Sequence, residues 1–202
     1  VLGEVGAGVY ITPNCVRQLQ RVGLGPDVEK WGGKVGNGSR YFHQDGSEIA
    51  RVQVTDSSGW NATYGMHRAD LVGMLAKNLP TDVVHTGHQC TGYERRGDVA
   101  RVTFANGAGA EGDVVVGADG IHSVLREHVT PASRPVFSGS VTYRGIVRAE
   151  MVPDWPKQSW MMWLGQGRHF LAFAMRAFTL LNFFGVAAEE EATKGSWLAP
   201  GD

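Results

Sequence analysis

Cysteine is almost missing from these 202 residues. Cys15 and Cys90 are the only two, too few for a disulfide framework and in keeping with a reducing, cytoplasmic compartment. Charge imbalance is missing as well: Lys and Arg number 19 against 20 Asp and Glu, a formal net charge of -1. Without a basic stripe or a Lys/Arg run, nothing in the chain prepares it for nucleic acid. No run reaches the ~20 apolar residues of a membrane-spanning helix. The most apolar stretch, 170–188, is broken by Arg176, Thr179 and Asn182. Neither a signal peptide nor an internal repeat is legible, and no Ser-His-Asp, Cys-His or paired-carboxylate constellation stands out. His85-x-x-His88-x-Cys90 has ligand-type residues, yet along an alternating strand the two histidines point to opposite faces, and structural zinc wants four converging ligands. No metal site is assigned. What remains, 43% hydrophobic and 19% charged, is the composition of an ordinary folded core, enough for one large domain or parts of two.

The information is concentrated in 114–126. Val114, Val115 and Val116 are three β-branched residues in a row, which reads as a strand covered on both faces and hence as part of a parallel sheet. Gly117-Ala118-Asp119-Gly120 is a tight turn, and a helix is expected near 123–128. Ligands of open α/β sheets gather at the carboxyl ends of such strands, where Asp119 stands. Its carboxylate can cap the following helix or accept a hydrogen bond from a ribose hydroxyl, while Gly117 and Gly120 let a ligand approach the backbone closely. Both readings stay open. A G-x-G-x-x-G match at Gly107, Gly109 and Gly112 lacks the context of a dinucleotide fingerprint, which needs a strand before it and a helix after it. Here Val99 to Phe104 alternates like a strand, Asn106-Gly107 is a turn, and a second strand is expected over 113–117, so the match reads as a loop. Gly3, Gly6 and Gly8 have the wrong order of spacings.

Elsewhere the punctuation is local. Thr12-Pro13 reads as an N-cap and first helical position, Val16, Leu19, Gln20 and Val22 as one helical face, and Gly23 as the stop. The segment 40–54 alternates around Asp45-Gly46-Ser47 and predicts a hairpin. Ala69, Leu71, Val72, Leu75, Ala76 and Leu79 recur at helical spacing until Pro80. A short strand is expected over 83–85, with 90–93 and 99–104 forming a sheet. Pro131 and Pro135 mark a change of composition, after which the chain is aromatic and strand-like as far as Val186. Glu189-Glu190-Glu191 reads as a solvated helix face or the start of one.

The segment from Gly117 to Arg126, G-A-D-G-I-H-S-V-L-R, resembles the second nucleotide motif of the flavin-dependent aromatic hydroxylases, the salicylate hydroxylase type of single-component FAD monooxygenase. Three further segments agree with that family in order: Gly6-Ala7-Gly8-Val9-Tyr10-Ile11-Thr12-Pro13-Asn14, then His67-Arg68-Ala69-Asp70-Leu71, then Tyr143-Arg144-Gly145 followed by Trp163 to His169. The family's first G-x-G-x-x-G turn and its later Gly-Asp motif are not in this sequence, so the expectation is an internal fragment. The resemblance implies an α/β fold: an incomplete Rossmann-like FAD-binding domain over 1–132, part of an antiparallel substrate-binding sheet domain over 133–188, and a return segment over 189–202. It implies FAD as cofactor, NADH or NADPH as co-substrate, O2, and a small hydroxylated or carboxylated aromatic substrate. The chemistry then belongs mainly to the flavin, and the protein supplies binding, orientation and a dry pocket.

Residue by residue, the resemblance assigns Arg68 to the FAD phosphates or ribityl chain, a role its planar fork suits. It assigns Cys90 to the adenine by backbone position, and Asp119 with Gly120 to the nucleotide. Tyr10 corresponds to a position beside the flavin ring that carries a catalytic His in some members; a phenol there can hydrogen-bond a substrate hydroxyl or help deprotonate it, or simply pack over the loop. Phe173 and Tyr143 correspond to the substrate side. Phe173-Ala174 stands where many relatives have Tyr-Pro, which favours an apolar wall, and Arg144 can meet a carboxylated ring or bridge domains. A second class stays open, a flavin-fold fragment or binding module without turnover of its own. Oligomeric state is not encoded in any motif here.

Overall fold

The computed structural model describes residues 8–36, 38–52, 55–131 and 135–189. Gly6 and Ala7 of the first motif, and Glu190, Glu191 and the rest of the return segment, lie outside the described residues. The described chain forms two compact units, one running from Pro80 to Ser138 and one joining residues 8–79 to 139–189.

The larger unit begins with β1 (Gly8–Ile11), α1 (Pro13–Arg21), α2 (Gly25–Trp31) and β2 (Gly33–Val35). Thr12 is extended at the expected N-cap position, although its side chain makes no capping hydrogen bond, and Pro13 opens α1 at its first turn as expected. The helix ends in a Schellman motif: the Gly23 N–H donates to the Gln20 carbonyl at 3.0 Å and the Leu24 N–H to the Leu19 carbonyl at 2.9 Å. Gly23 supplies the left-handed turn at φ +81. Leu24 and Leu19 are both buried, so the cap doubles as a core contact. Next come β3 (Arg40–His43) and β4 (Glu48–Arg51), the expected hairpin. Its turn is made locally, with the Asp45 carboxylate accepting from the Ser47 N–H at 2.9 Å and Gly46 at φ +89. β5 (Thr63–His67) is buried at every position and runs directly into α3 (Arg68–Lys77). In α3 the tertiary contact selects Met74 for burial and leaves Leu75 exposed, and Leu79, expected on the same helical face, lies past the helix end and is exposed too.

The smaller unit holds β6 (Cys90–Arg96), β7 (Val99–Phe104) and β8 (Gly109–Gly112), an antiparallel sheet in that order. The G-x-G-x-x-G match is therefore a hairpin turn and its outgoing strand: the Asn106 side chain accepts from the Ala108 N–H at 3.0 Å and Gly107 turns at φ +83. The outgoing strand lies over 109–112 rather than 113–117. Two sequence expectations fail here. Val114 and Val116 are irregular and 78% and 82% exposed, because a buried parallel strand is defined by neighbours on both sides and none flanks 114–116 among the described residues of this unit. Residues 83–85 are likewise not a strand, and Val83 and Val84 are exposed. The helix expected near 123–128 is one 3₁₀ turn, Leu125–His128.

The larger unit resumes with β9 (Ser140–Arg148), β10 (Trp160–Gly165), β11 (Arg168–Met175) and β12 (Leu180–Ala188). Two sheets result: β1-β5-β2, all antiparallel, and the six-stranded β4-β3-β10-β11-β12-β9, antiparallel except where β3 meets β10. On one face of the large sheet Phe42, Trp163, Phe170 and Phe183 form a row across four strands at centroid spacings of 5.3, 5.8 and 5.8 Å. The other face carries Trp160, Phe173 and Asn182, which are cross-strand partners, and the small sheet packs against it.

That packing depends on bare backbone. Gly33 and Gly65 are register partners in the small sheet, and a Cβ on either would stand 2.3 Å from the Ala174 carbonyl oxygen of β11. Gly65→Ala should therefore destabilise the protein by about 1–3 kcal/mol, the overpacking range. Gly73→Ala, in α3 with no atom within 4 Å of its Cβ site, should stabilise it by about 0.5–1 kcal/mol. Denaturant midpoints of the two variants, read against wild type, check both signs.

Candidate functional site

In the larger unit the structure brings Tyr10 and Phe173 together. The Tyr10 ring stands edge-on to Phe173 at 6.0 Å and to Trp160 at 6.4 Å. The Tyr10 hydroxyl is buried without a hydrogen-bond partner. Burial pushes its pKa up to about 12, and the nearby Tyr41 adds to the rise; Trp160 and Thr63 soften it without completing a hydrogen bond. At neutral pH Tyr10 thus holds its proton, and can donate but not abstract. Phe173 is 1% exposed and closely packed: a Cβ at Gly65 or Gly8 would approach its ring to 2.4 or 2.8 Å.

Arg68 is the first residue of α3 and is exposed. It follows His67, the register partner of Gly8, so it stands beside the start of β1, two residues ahead of Tyr10, whose own partner is Gly65. Tyr143 lies on β9, and its hydroxyl makes a long 3.4 Å contact to the Glu189 carboxylate. Phe173 pairs with Asn182 and Asn182 with Ile146. Tyr143, an odd number of residues from Ile146, therefore lies on the opposite face of the sheet from Phe173, whereas Arg144 shares the Phe173 face. The two residues assigned to the substrate by resemblance do not meet.

Sequence reading missed two residues beside Tyr10 and Arg68. Asn182, fully buried between Leu181 and Phe183, accepts the Gly8 N–H on Oδ1 at 2.7 Å, tying β12 to β1. Its only sequence signal is an amide inside an apolar strand. Asp70, two residues past Arg68, takes both arms of the Arg176 guanidinium at 2.7 and 2.8 Å.

In the smaller unit, Asp119 and Gly120 border a cleft of about 440 Å³, with Tyr93, Ser123 and Arg126 among its other walls. Asp119 Oδ1 accepts from the Ser123 hydroxyl at 2.6 Å, and Oδ2 accepts from the Val124 and Leu125 N–H groups at 2.8 and 3.3 Å. The Ser123 hydroxyl, with those amides, holds the carboxylate below its usual pKa range. The capping role is thus formed. A carboxylate offers roughly four lone-pair positions, and three are in use here. Gly120 turns at φ +83 with nothing within 4 Å of its Cβ site. Cys90 is half-buried on β6, its thiol directed at the Gly92 carbonyl, 3.6 Å away.

The histidines expected on opposite strand faces stand side by side instead, His85 and His88 having ring centroids 5.7 Å apart, because no strand forms there. Among the described residues no group of three His, Cys, Asp or Glu could hold a metal ion, and no helix is long and apolar enough to cross a membrane.

Tyr10→Phe removes an unsatisfied buried hydroxyl and keeps the ring, so at pH 7 its stability should equal wild type or exceed it by up to about 1 kcal/mol. Because the folded state holds the Tyr10 proton more tightly than the unfolded chain, this group leaves wild-type stability unchanged below pH 10 and lowers it as pH rises from 10 toward about 12. Thermal melts across that window should fall more steeply for wild type than for Tyr10→Phe.

No family model matches the chain. Among curated proteins it is 36% identical over 206 residues to a 3-amino-4-hydroxybenzoate 2-monooxygenase of Streptomyces platensis, covering 99% of this chain and 51% of that protein. It is 30% identical over 223 residues to a salicylate hydroxylase of Pseudomonas putida, covering 98% and 49%. Among solved structures, HpxO of Klebsiella pneumoniae, crystallised with FAD and uric acid, superposes with a TM-score of 0.80 at 24% identity, over 96% of this chain and 50% of that one. The chain spans about half the length of the curated relatives it matches. Sequence and fold thus agree that this chain is similar, over nearly its whole length, to half of a flavin-dependent aromatic-ring monooxygenase of the salicylate hydroxylase type.

Proposed function

We propose that the chain carries the nucleotide turn and the substrate-side sheet of a monooxygenase that inserts one oxygen atom into a small hydroxylated or carboxylated aromatic ring, with NADH or NADPH and O2 as co-substrates. The observation that carries this reading is the Asp119 turn. Its carboxylate is oriented by three donors and keeps lone-pair capacity for one more, beside a cleft of about 440 Å³, within the usual span of ligand sites, roughly 300–1,000 Å³. The residues present therefore fit a bound nucleotide. The names of the relatives, a hydroxybenzoate monooxygenase and a salicylate hydroxylase, support the substrate class.

Bound FAD, reduced by the nicotinamide, would supply the oxygen chemistry. The chain's own residues bind and orient. Asp119 accepts a ribose hydroxyl, and Gly120 leaves room for the ligand to approach the backbone. Cys90 contributes backbone toward the adenine. Arg68 offers its fork to a phosphate or ribityl oxygen. Tyr10 keeps its proton and borders an apolar wall made by Phe173, so water is kept from that side of the site. Arg144 is better supported than Tyr143 as partner of a substrate carboxylate, because it shares the face of Phe173. Cytoplasm is the proposed compartment, in keeping with two free cysteines.

The test is a screen of hydroxylated aromatic acids with the protein expressed from its complete gene, following NAD(P)H oxidation and a product mass gain of one oxygen. Asp119→Ala should lower FAD content and the rate of flavin reduction while leaving most of the protein folded. Wild-type FAD content and reduction rate in a variant that has only lost stability would mean that Asp119 is a cap and nothing more.

A further inference from the structure

Between β11 and β12 the chain makes a turn that few sequences adopt. Arg176, Ala177 and Phe178 sit at φ +46, +49 and +69, three consecutive non-glycine residues in the left-handed region. Such backbone persists only where surrounding contacts over-determine it, and it clusters at working sites. The contacts are visible. The Thr179 hydroxyl donates to the Arg176 carbonyl at 2.8 Å, and the Ala149 N–H donates to the Thr179 carbonyl at 2.9 Å. The Arg176 guanidinium reaches across 106 residues of sequence to clamp Asp70, with Nε on Oδ2 at 2.7 Å and a terminal nitrogen on Oδ1 at 2.8 Å. The Asp70 side chain is 15% exposed and that of Arg176 40%, so the fork is shielded on its carboxylate side, and its strength lies in the bidentate geometry.

What the clamp holds is the first turn of α3, and Arg68 is the first residue of that turn. A carboxylate in a first turn stabilises the helix through its dipole, but next to a ligand phosphate it would repel. The Arg176 fork cancels that charge and fixes the direction of the turn at once. The other end of the strained turn continues into β11 and its Phe173–Met175 core. The turn therefore couples the sheet that walls the site to the helix that carries Arg68.

We propose that Arg176 and Asp70 form a positioning pair that sets Arg68 toward the FAD phosphate or ribityl chain. This rests on the assignment of Arg68 made above. The pair touches no reacting atom, and it acts through the helix turn.

The test is a double-mutant cycle on FAD affinity, measured by quenching of flavin fluorescence with the folded fraction of the protein expressed from its complete gene. Arg176→Gln and Arg176→Lys should each weaken FAD binding on the order of tenfold, since lysine keeps the charge but lacks the bidentate fork. In an Arg68→Ala background the same substitutions should weaken it no further. Amide exchange over the first turn of α3 should quicken in Arg176→Gln whether or not FAD is present. The exchanged pair Asp70→Arg with Arg176→Asp should recover most of the affinity. Equal weakening by Arg176→Gln in both backgrounds overturns the pair while leaving the Arg68 assignment intact. An Arg68→Ala variant with wild-type FAD affinity overturns that assignment, and the pair with it.

Discussion

The close approach of β11 to the paired glycines Gly33 and Gly65 is the constraint on which the larger unit rests. Two side chains are absent at facing positions of the small sheet, and the Ala174 carbonyl fills the space they leave, at 2.3 Å from each missing Cβ. With the backbones that close, Phe173 has room only beneath Gly65 and beside Gly8, and Tyr10 has room only against Phe173 and Trp160. The aromatic arrangement next to the proposed site follows from glycine placement more than from aromatic preference. Ring pairs at 6.0 and 6.4 Å add to the apolar burial, but edge-to-face contacts contribute about 0.5–1.5 kcal/mol each and could not by themselves select this geometry.

Two polar contacts among the described residues tie a strand or helix end across that apolar contact. Asn182 holds Gly8 at the head of β1, and Arg176 holds Asp70 at the head of α3. Both ends lead directly to residues assigned to the flavin. Around them, the Tyr10 hydroxyl, the Trp160 indole N–H and the Asn182 amide nitrogen are buried without hydrogen-bond partners. Unpaired buried donors are costly, about 1–3 kcal/mol each. Packing at the glycine notch offsets that cost.

In the smaller unit one carboxylate carries the organisation. Asp119 gathers Ser123, Val124 and Leu125 onto its two oxygens, and Ser123 in turn accepts from the Arg126 N–H at 2.9 Å. The capping geometry is thus compatible with the ribose role proposed for Asp119. The donors of the cap hold the carboxylate ionised and aimed, and an ionised, aimed carboxylate is what a ribose hydroxyl needs.

Sequence alone determined the elements whose signals are local. Thr12-Pro13 and Gly23 delimit α1, Asp45-Gly46 closes the β3–β4 hairpin, and Asn106-Gly107 turns β7 into β8, because each depends on dihedral preferences and hydrogen bonds within a few residues. The ordered motifs, though not composition, also disclosed the flavoprotein resemblance. Tertiary structure alone decided the rest. The valines at 114–116 read as a buried strand, yet burial belongs to the neighbours of a strand and not to its own residues, and here Val114 and Val116 are exposed. Parallel pairing of 40–43 with 161–164 joins segments more than a hundred residues apart, and no local pattern announces it. The same holds for Asn182 and for the Asp70–Arg176 fork. Turn chemistry is written in adjacent residues, whereas the partners of a buried amide or carboxylate are chosen by which backbones the fold brings within about 3 Å of it.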